Sequence, residues 1–257
     1  MDFHPVHITR TAETRWEAVA DDRVVGHGDV SYRPDGRLFV SIDVWQDALF
    51  DRLVTAVLAD LPMTPVHTLV GEHDTALRAR WERAGFTLVR REREYVLPTD
   101  PAATGLATPP AAAGLEIVRG GEADEARLRL LDRAVRDEVG ATVGWRTMPA
   151  EVLVLPGGDT LGDPSHYAVA VRDGRYVGHV RVVPVPRRAR IGLIAVRADE
   201  RRRGVGRALL AHALGALHDA GTASAWAEAD ESNTAAIALL KQAGARQSGA
   251  CLELART

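Results

Sequence analysis

The chain concentrates residues suited to binding a phosphate between residues 193 and 210. This segment contains a short apolar run, three consecutive arginines, and Gly204 and Gly206 immediately before an amphipathic stretch. Glycines let backbone N–H groups approach a ligand closely, the N-terminus of a helix carries partial positive charge, and arginines donate charge-assisted hydrogen bonds to phosphate. The segment therefore predicts a strand, a loop and a helix start that together bind a phosphate-bearing ligand.

The loop lacks the residues of two common nucleotide-binding loops. A P-loop requires Gly-Lys followed by Ser or Thr, and the chain contains no such triplet. A Rossmann fingerprint would place Gly or Ala where this chain has Leu209, and it would not carry three arginines before its first glycine. Both kinds of nucleotide site are excluded.

The spacing of the loop resembles that of the GNAT superfamily of N-acetyltransferases. Arg201, Gly204 and Gly206 follow a strand that ends in Val196, as in that family. The resemblance implies that the loop amides bind the pyrophosphate of acetyl-CoA, the co-substrate, and that the strand end pairs with its pantetheine arm. The cofactor-binding residues implied in this way are Ile194, Ala195, Val196, Arg201, Arg202, Arg203, Gly204, Val205, Gly206, Arg207 and Ala208.

A second match to the same family follows the loop. The family has a strand, then Asn, two residues, Ala, a helix and a glycine turn, and here Asn233, Ala236 and Gly244 stand in that order. The resemblance covers residues 115–257 and implies that Asn233 and Ala236 flank the cofactor. Taken alone, Asn233 is equally typical of a plain helix N-cap.

Acetyl transfer to an amine needs a group that removes a proton from the incoming ammonium. The strand before the loop, residues 189–196, contains no acid, although the family frequently has one there. Glu228 and Asp230 lie two residues apart on the next strand, so their side chains share one face of the sheet. We predict these two as catalytic carboxylates, and a solvated or ion-paired strand end is the alternative.

The family's usual general acid is a tyrosine at the position of Leu240. A thiolate whose thiol has a pKa of about 8.5 leaves with little help, so water or Tyr167 would suffice as the proton donor. The missing tyrosine keeps a non-catalytic acyl-CoA-binding or regulatory module as the alternative function. Glu138, Trp145 and Arg146 fall in the region that covers the acceptor in such folds.

The chain contains two similar halves, which indicates an internal duplication. Residues 23–30 align with 175–182, and residues 72–86 align with 231–245 without a gap. Where the phosphate loop would lie in the first half, residues 42–52 have no glycine and three acids, which would repel pyrophosphate. We therefore predict a degenerate first copy that does not bind coenzyme A.

Residues 99–114 are rich in proline and alanine and read as a linker. The predicted domains are residues 1–98, the degenerate copy, and 115–257, the catalytic copy. The predicted fold class is α/β (α+β), with two GNAT-like domains, each a mixed, mostly antiparallel sheet flanked by helices.

Composition narrows the class of partner. A net charge of -3 argues against a nucleic-acid binder, and no apolar run approaches the roughly 20 residues that span a bilayer. The single cysteine, Cys251, and an N-terminus unlike a signal peptide favour a cytoplasmic location, and the near-exclusive use of arginine favours a bacterial source. The histidines show no metal-ligand spacing, so we expect no metal site.

These observations together predict an acetyl-CoA-dependent N-acetyltransferase. Its acceptor would be a primary amine of a small molecule, such as a metabolite, an amino acid or an antibiotic, acetylated by direct attack. A mycothiol-synthase-like enzyme is an alternative within the same class. We expect a monomer, with a homodimer as the other possibility.

Overall fold

The computed structural model describes residues 6–33, 36–62, 64–106, 114–142, 161–185 and 188–257. Contacts divide the chain into two compact units. The first comprises Met1–Arg91 with Ala250–Thr257, and the second comprises Glu92–Gly249. In the described part of the chain, no helix is long and apolar enough to cross a membrane.

The first unit is a mixed sheet with two helices. Its elements are β1 (His7–Ala12), β2 (Arg15–Ala20), β3 (Arg23–Tyr32), β4 (Leu38–Val44), α1 (Phe50–Asp60), β5 (Val66–Gly71), α2 (Thr75–Arg83) and parts of β6 (Thr87–Pro98) and β12 (Arg246–Arg256). The strands lie in the order β1-β2-β3-β4-β5-β12, and of these pairs only β4–β5 is parallel. Trp16, Phe50, Leu53, Trp81 and Phe86 are the large side chains at the centre of the core.

The second unit repeats this arrangement in its described residues. Besides the remaining parts of β6 and β12, its elements are β7 (Leu115–Arg119), α3 (Glu125–Ala141), β8 (Tyr167–Arg172), β9 (Arg175–Val185), β10 (Arg188–Val196), α4 (Val205–Asp219), β11 (Ser224–Asp230) and α5 (Thr234–Gln242). Helix α3, after the first strand, has no counterpart among the described residues of the first unit. The strands lie in the order β7-β8-β9-β10-β11-β6, and of these pairs only β10–β11 is parallel.

Helices α3 and α4 cover opposite faces of the second sheet. Apolar residues recur on one side of each helix, which is the pattern that buries a helix against a sheet. Leu209, Leu210 and Leu214 of α4 are fully buried in a core that contains Ala225 and Ala227. A separate core lies under α3, built from Leu128, Leu131, Val135 and Val139 of the helix with Tyr167, Val169 and Ala195 of the sheet.

The predicted fold class is confirmed, since both units contain a mixed, mostly antiparallel sheet flanked by helices. Helices α2 and α5 end as the duplication predicts, because Gly85 and Gly244 follow them with φ of 91° and 72°. The left-handed region favours glycine, which closes a helix there without steric cost.

Contacts divide the chain differently from the predicted boundaries at residues 98 and 115. Residues 92–98 of β6 pair with β11 inside the second unit. Residues 251–256 of β12 pair with β5 inside the first unit. Each unit is thus completed by a strand that follows the last helix of the other copy.

Candidate functional site

The loop after β10 is shaped by two residues in the left-handed region. Arg197 donates its N–H to the carbonyl of Val177 at 3.0 Å, and a 3-10 turn, Ala198–Glu200, follows. Arg202 then has φ of 65° and Gly204 has φ of 79°. These values turn the chain into α4 within a few residues, which brings the start of the helix to the end of the strand.

Backbone donors lie at the start of α4, where the anion site was predicted. The hydrogen-bond ladder of α4 begins with the N–H of Ala208, which donates to the carbonyl of Gly204 at 3.0 Å. The four preceding amides, of Gly204, Val205, Gly206 and Arg207, have no carbonyl within the helix to bond. Four such donors at the positive end of a helix fit a pyrophosphate.

Glu138 of α3 anchors the entrance of the loop. Its Oε2 atom accepts the N–H of Ala198 at 2.7 Å and lies 3.5 Å from the guanidinium of Arg201. Arg201 also donates to the carbonyl of Val196 at 3.2 Å. Glu138 therefore holds the loop that was predicted to bind the cofactor, and Arg201 stabilises the loop from within.

The other arginines differ in how free they are to bind a ligand. Arg203 forms an ion pair of 3.6 Å with Glu200, and Arg207 donates to the carbonyl of Gly105 at 3.0 Å. Arg202 is exposed and has no ion-pair partner among the described residues. Of the predicted arginines, Arg202 is the one whose charge is least engaged by the protein.

A β-bulge in β10 exchanges the faces of that strand. Its register against β9 shifts between Ile191 and Leu193. Ile191 packs in the core under α4, whereas Leu193 and Ala195 pack in the core under α3, although all three have the same parity. A one-residue slip turns every later side chain to the other face. Gly192, inside a strand, is the sequence signal that would have predicted this bulge.

The bulge turns Ile194 and Val196 to the face of the sheet that α4 covers. The parallel pairing of β10 with β11 ends at Ile191 and Ala227 among the described residues. A Cβ atom added to Gly206 would lie 3.6 Å from Leu239, 3.7 Å from Val196 and 3.9 Å from Ile194. The strand end, the glycine and α5 therefore lie close together, with their apolar side chains next to the start of α4. The side chain of Ala195 is buried on the other face, so only its backbone is available on this face.

Asn233 is the N-cap of α5. Its Oδ1 atom accepts the N–H of Ala236 at 3.1 Å. The structure thus shows the capping role that Asn233 alone suggests, and it joins both predicted residues in one hydrogen bond.

Glu228 is held by a buried arginine. Its Oε2 atom accepts a hydrogen bond from Arg190 of β10, and the Arg190 guanidinium lies 4.7 Å from the centre of the Trp226 ring. Burial raises the pKa of Glu228 above its usual range, the Arg190 charge opposes this, and Glu92 and Glu94 add to it. Sequence reasoning missed Arg190, which lies 38 residues from Glu228 in the chain.

Asp230 has a different environment from Glu228. It is 6% exposed, and its Oδ1 atom accepts the N–H of Ser232 at 2.9 Å and the Ser232 hydroxyl at 2.5 Å. These bonds fix the turn that leads from β11 into α5. The two carboxylates share the predicted face, because Ala225, Ala227 and Ala229 occupy the other.

The candidate proton donors lie apart from the loop. Tyr167 begins β8, two strands from β10, which is roughly 10 Å across a sheet. Burial raises its pKa. Leu240 is buried in the core under α4. Trp145 and Arg146 lie outside the described residues.

The corresponding loop of the first unit has another structure. A 3-10 turn, Asp47–Leu49, leads directly into α1, and no residue from Asp43 to Phe50 has a positive φ. Asp47 forms an ion pair with Arg80. Trp81, which aligns with Leu240, is buried between Phe50 and Phe86, with ring centres 5.1 and 4.8 Å away.

Residues 137–245 match the model of the Acetyltransferase (GNAT) family. A shorter similarity links the chain to the [Ribosomal protein bS18]-alanine N-acetyltransferase of Escherichia coli K12, with 49% identity over 51 residues. That alignment covers 20% of this chain and 34% of the relative. The chain therefore spans about a third of the length of the curated relatives it matches.

Solved structures share the fold over nearly the whole chain. A GCN5-related N-acetyltransferase from Sphaerobacter thermophilus has a TM-score of 0.64 at 19% identity, covering 96% of this chain and 82% of that one. A tandem GNAT protein from the clavulanic acid biosynthesis pathway has a TM-score of 0.65 at 17% identity, covering 94% and 81%. At such identities the likeness concerns the fold alone.

Residues 137–245, which make up less than half of the chain, are thus similar to the GNAT family of acetyltransferases. The solved N-acetyltransferase structures share the fold of the chain.

Proposed function

We propose that the second unit transfers the acetyl group of acetyl-CoA to a primary amine of a small molecule. The observation that carries this proposal is the row of free amides from Gly204 to Arg207, which lies beside the apolar side chains of Ile194 and Val196. The amides and Arg202 would bind the pyrophosphate, and the end of β10 would contact the pantetheine arm. Acetyl-CoA supplies the activated acetyl group, and the residues of the chain bind it, orient it and remove a proton from the acceptor.

Glu228 is the proposed base. Its raised pKa brings the carboxylate closer to the pH at which an ammonium must lose a proton, which makes it a stronger base than an exposed glutamate. It would take the proton from the acceptor directly or through a water molecule. Asp230 was predicted beside it, but its bonds to Ser232 support a role in positioning the turn rather than in proton transfer.

The first unit is proposed to be a degenerate copy that does not bind acetyl-CoA. Three features support this: the loop before α1 has no left-handed residue, Asp47 places a negative charge there, and Trp81 fills the space beside α1.

We further expect a cytoplasmic enzyme of a bacterium that acts as a monomer and needs no metal, nucleic acid or membrane. Among the described residues no group of three or more metal-ligating side chains is present.

A protein N-terminus is a second candidate acceptor. The relative from Escherichia coli is named for the acetylation of an alanine of a ribosomal protein, and it shares 49% of 51 residues with this chain. A small-molecule amine remains our primary proposal, because Glu228, Glu92 and Glu94 lie together on the face of β11 and β6 and favour a compact cationic acceptor. A mycothiol-synthase-like reaction is a further alternative within the same class.

Coenzyme A release, followed with a thiol-trapping reagent, tests the proposed function. The acceptor panel should contain amino acids, diamines, aminoglycosides and a peptide with an N-terminal alanine. Turnover with a small amine but not with the peptide supports the proposal, and turnover with the peptide alone supports the second candidate. Tight acetyl-CoA binding without turnover on any acceptor would instead indicate a non-catalytic acyl-CoA-binding module.

A further inference from the structure

A cavity of about 770 Å³ lies in the second unit, away from the acetyl-CoA loop. It opens between the C-terminal half of α4 and the sheet, at the start of β10. From Ala189 in its wall to Val196 at the loop is about 20 Å along the strand. Its volume is typical of sites for small organic molecules.

The floor of the cavity is apolar and is formed by small side chains. Ala168, Val182 and Ala189 contribute from the sheet, and Ala213, Ala216 and Leu217 contribute from α4. The volume exists because alanines face each other where larger residues would fill the space between a helix and a sheet. Such a floor favours an aliphatic or aromatic group.

Two basic side chains stand at the cavity without a carboxylate partner. The guanidinium of Arg119 and the imidazole of His212 both line it, and neither has a hydrogen bond or ion pair among the described residues. They lie close enough for the Arg119 charge to lower the pKa of His212, after the larger effect of burial. The other titratable residues in the described lining are His166 and Tyr167, and this lining contains no Asp or Glu.

We propose that this cavity binds a small organic monocarboxylate, with the carboxylate between Arg119 and His212 and the apolar body against the alanines. A guanidinium without a partner gives a carboxylate a charge-assisted bond, and Thr222 and Ser224 add hydroxyl donors to the same lining. An ammonium in the same place would be repelled by the charge of Arg119. The site is distinct from the acetyl-transfer site and does not depend on the proposed reaction.

Octanoate is a suitable probe, because it combines one carboxylate with a short apolar chain. We expect calorimetry on the full chain to show saturable one-to-one binding of octanoate and no binding of octylamine. Arg119→Gln should weaken octanoate binding by about tenfold, since a charge-assisted bond is lost. Arg133→Gln, at an exposed arginine of α3, is the matched control and should bind octanoate as the wild type does.

A second variant tests whether octanoate occupies the cavity while the charge of Arg119 is kept. Ala216 lines the cavity but is itself exposed, so Ala216→Phe should fold normally while its ring takes the place of the octanoate chain. Octanoate should also raise the pKa of His212, measured from its imidazole resonance, because a nearby anion favours the charged form. Absence of saturable octanoate binding, equal binding of octylamine, or unchanged affinity in both variants would overturn the proposal. So would sedimentation that shows a dimer converted to a monomer by Ala216→Phe, since the cavity would then be covered by a second copy.

Discussion

The carboxylate of Glu228 accepts a hydrogen bond from Arg190, and the two residues come from the adjacent parallel strands β11 and β10. Arg190 is 7% exposed and stacks over Trp226, so its charge is fixed in place. The pair therefore gives Glu228 a defined orientation, while burial keeps the pKa of this carboxyl raised.

Glu228→Gln should lower kcat/KM by roughly 10²-fold, the usual effect of removing a general base. Acetyl-CoA affinity should stay unchanged, because Glu228 does not lie on the loop. Steady-state kinetics and calorimetry on the same preparation measure both quantities. Asp230→Ala is the matched control: it should reduce stability by about 1–2 kcal/mol through loss of the Ser232 bonds, with a much smaller effect on kcat. A larger kinetic loss in Asp230→Ala than in Glu228→Gln would refute the assignment.

Arg190→Gln should move the acid limb of the pH–rate profile to higher pH. The base acts when deprotonated, so activity falls as pH drops through the pKa of Glu228. The Arg190 charge lowers that pKa, and its removal lets burial, Glu92 and Glu94 raise it further. The logarithm of kcat/KM against pH measures the shift. An unchanged or acid-shifted limb would show that Glu228 does not set the profile.

A fragment of residues 99–257 should fail to fold. It lacks residues 92–98, which pair with β11, and with them Tyr95 and Leu97, both fully buried in the second unit. Losing two such side chains costs several kcal/mol, which is a large part of the stability of an ordinary domain. Circular dichroism and chemical denaturation of the fragment and the full chain compare the two. Cooperative unfolding of the fragment together with full-chain acetyl-CoA affinity would contradict the strand assignment.

His179 should make the protein less stable as pH falls from 7 to 5. It is fully buried, and burial lowers its pKa from 6.5 to about 4, with Asp132 opposing and Arg136 adding to the effect. Below pH 6.5 the imidazole of His179 binds a proton in the unfolded chain but stays neutral in the folded chain. The free energy of unfolding therefore falls by about 1.4 kcal/mol per pH unit, or by about 2 kcal/mol at pH 5. Urea unfolding at several pH values measures this slope.

Replacing the histidine isolates its share of that slope. His179→Leu has no titratable group at the position, so its stability should change less between pH 7 and 5 than that of the wild type. Most carboxylates remain ionised over this range and affect both proteins alike. Equal slopes in the two proteins would mean that the imidazole is not the group responsible.

Features set by neighbouring residues were predictable from the sequence. The spacing of Gly204 and Gly206 predicted the helix start, because φ and amide exposure are local properties. The caps at Asn233 and Gly244 and the alternation of β11 were predictable for the same reason.

Features that depend on pairing between distant segments were not predictable in this way. The assignment of residues 92–98 to the second unit depends on which strand β11 pairs with, and β6 carries no local signal for that choice. The Arg190–Glu228 pair depends on the register of two strands. The bulge in β10 did have a local sequence signal, Gly192. It matters because the bulge decides which face of the sheet the later residues of the strand occupy.

We propose that each chain has one acetyl-CoA site, at the start of α4. Calorimetric titration of the Gly206→Leu variant with acetyl-CoA tests this proposal. A side chain at Gly206 fits the helix backbone and meets only ordinary contacts at its Cβ, whereas any residue at Gly204 would be strained by its φ of 79°. Asp47→Leu, in the corresponding loop of the first unit, is the matched control.

We predict one site per wild-type chain, a loss of about tenfold or more in affinity for Gly206→Leu at an unchanged melting temperature, and wild-type binding for Asp47→Leu. Two sites per chain, or unaltered binding in Gly206→Leu, would contradict the account.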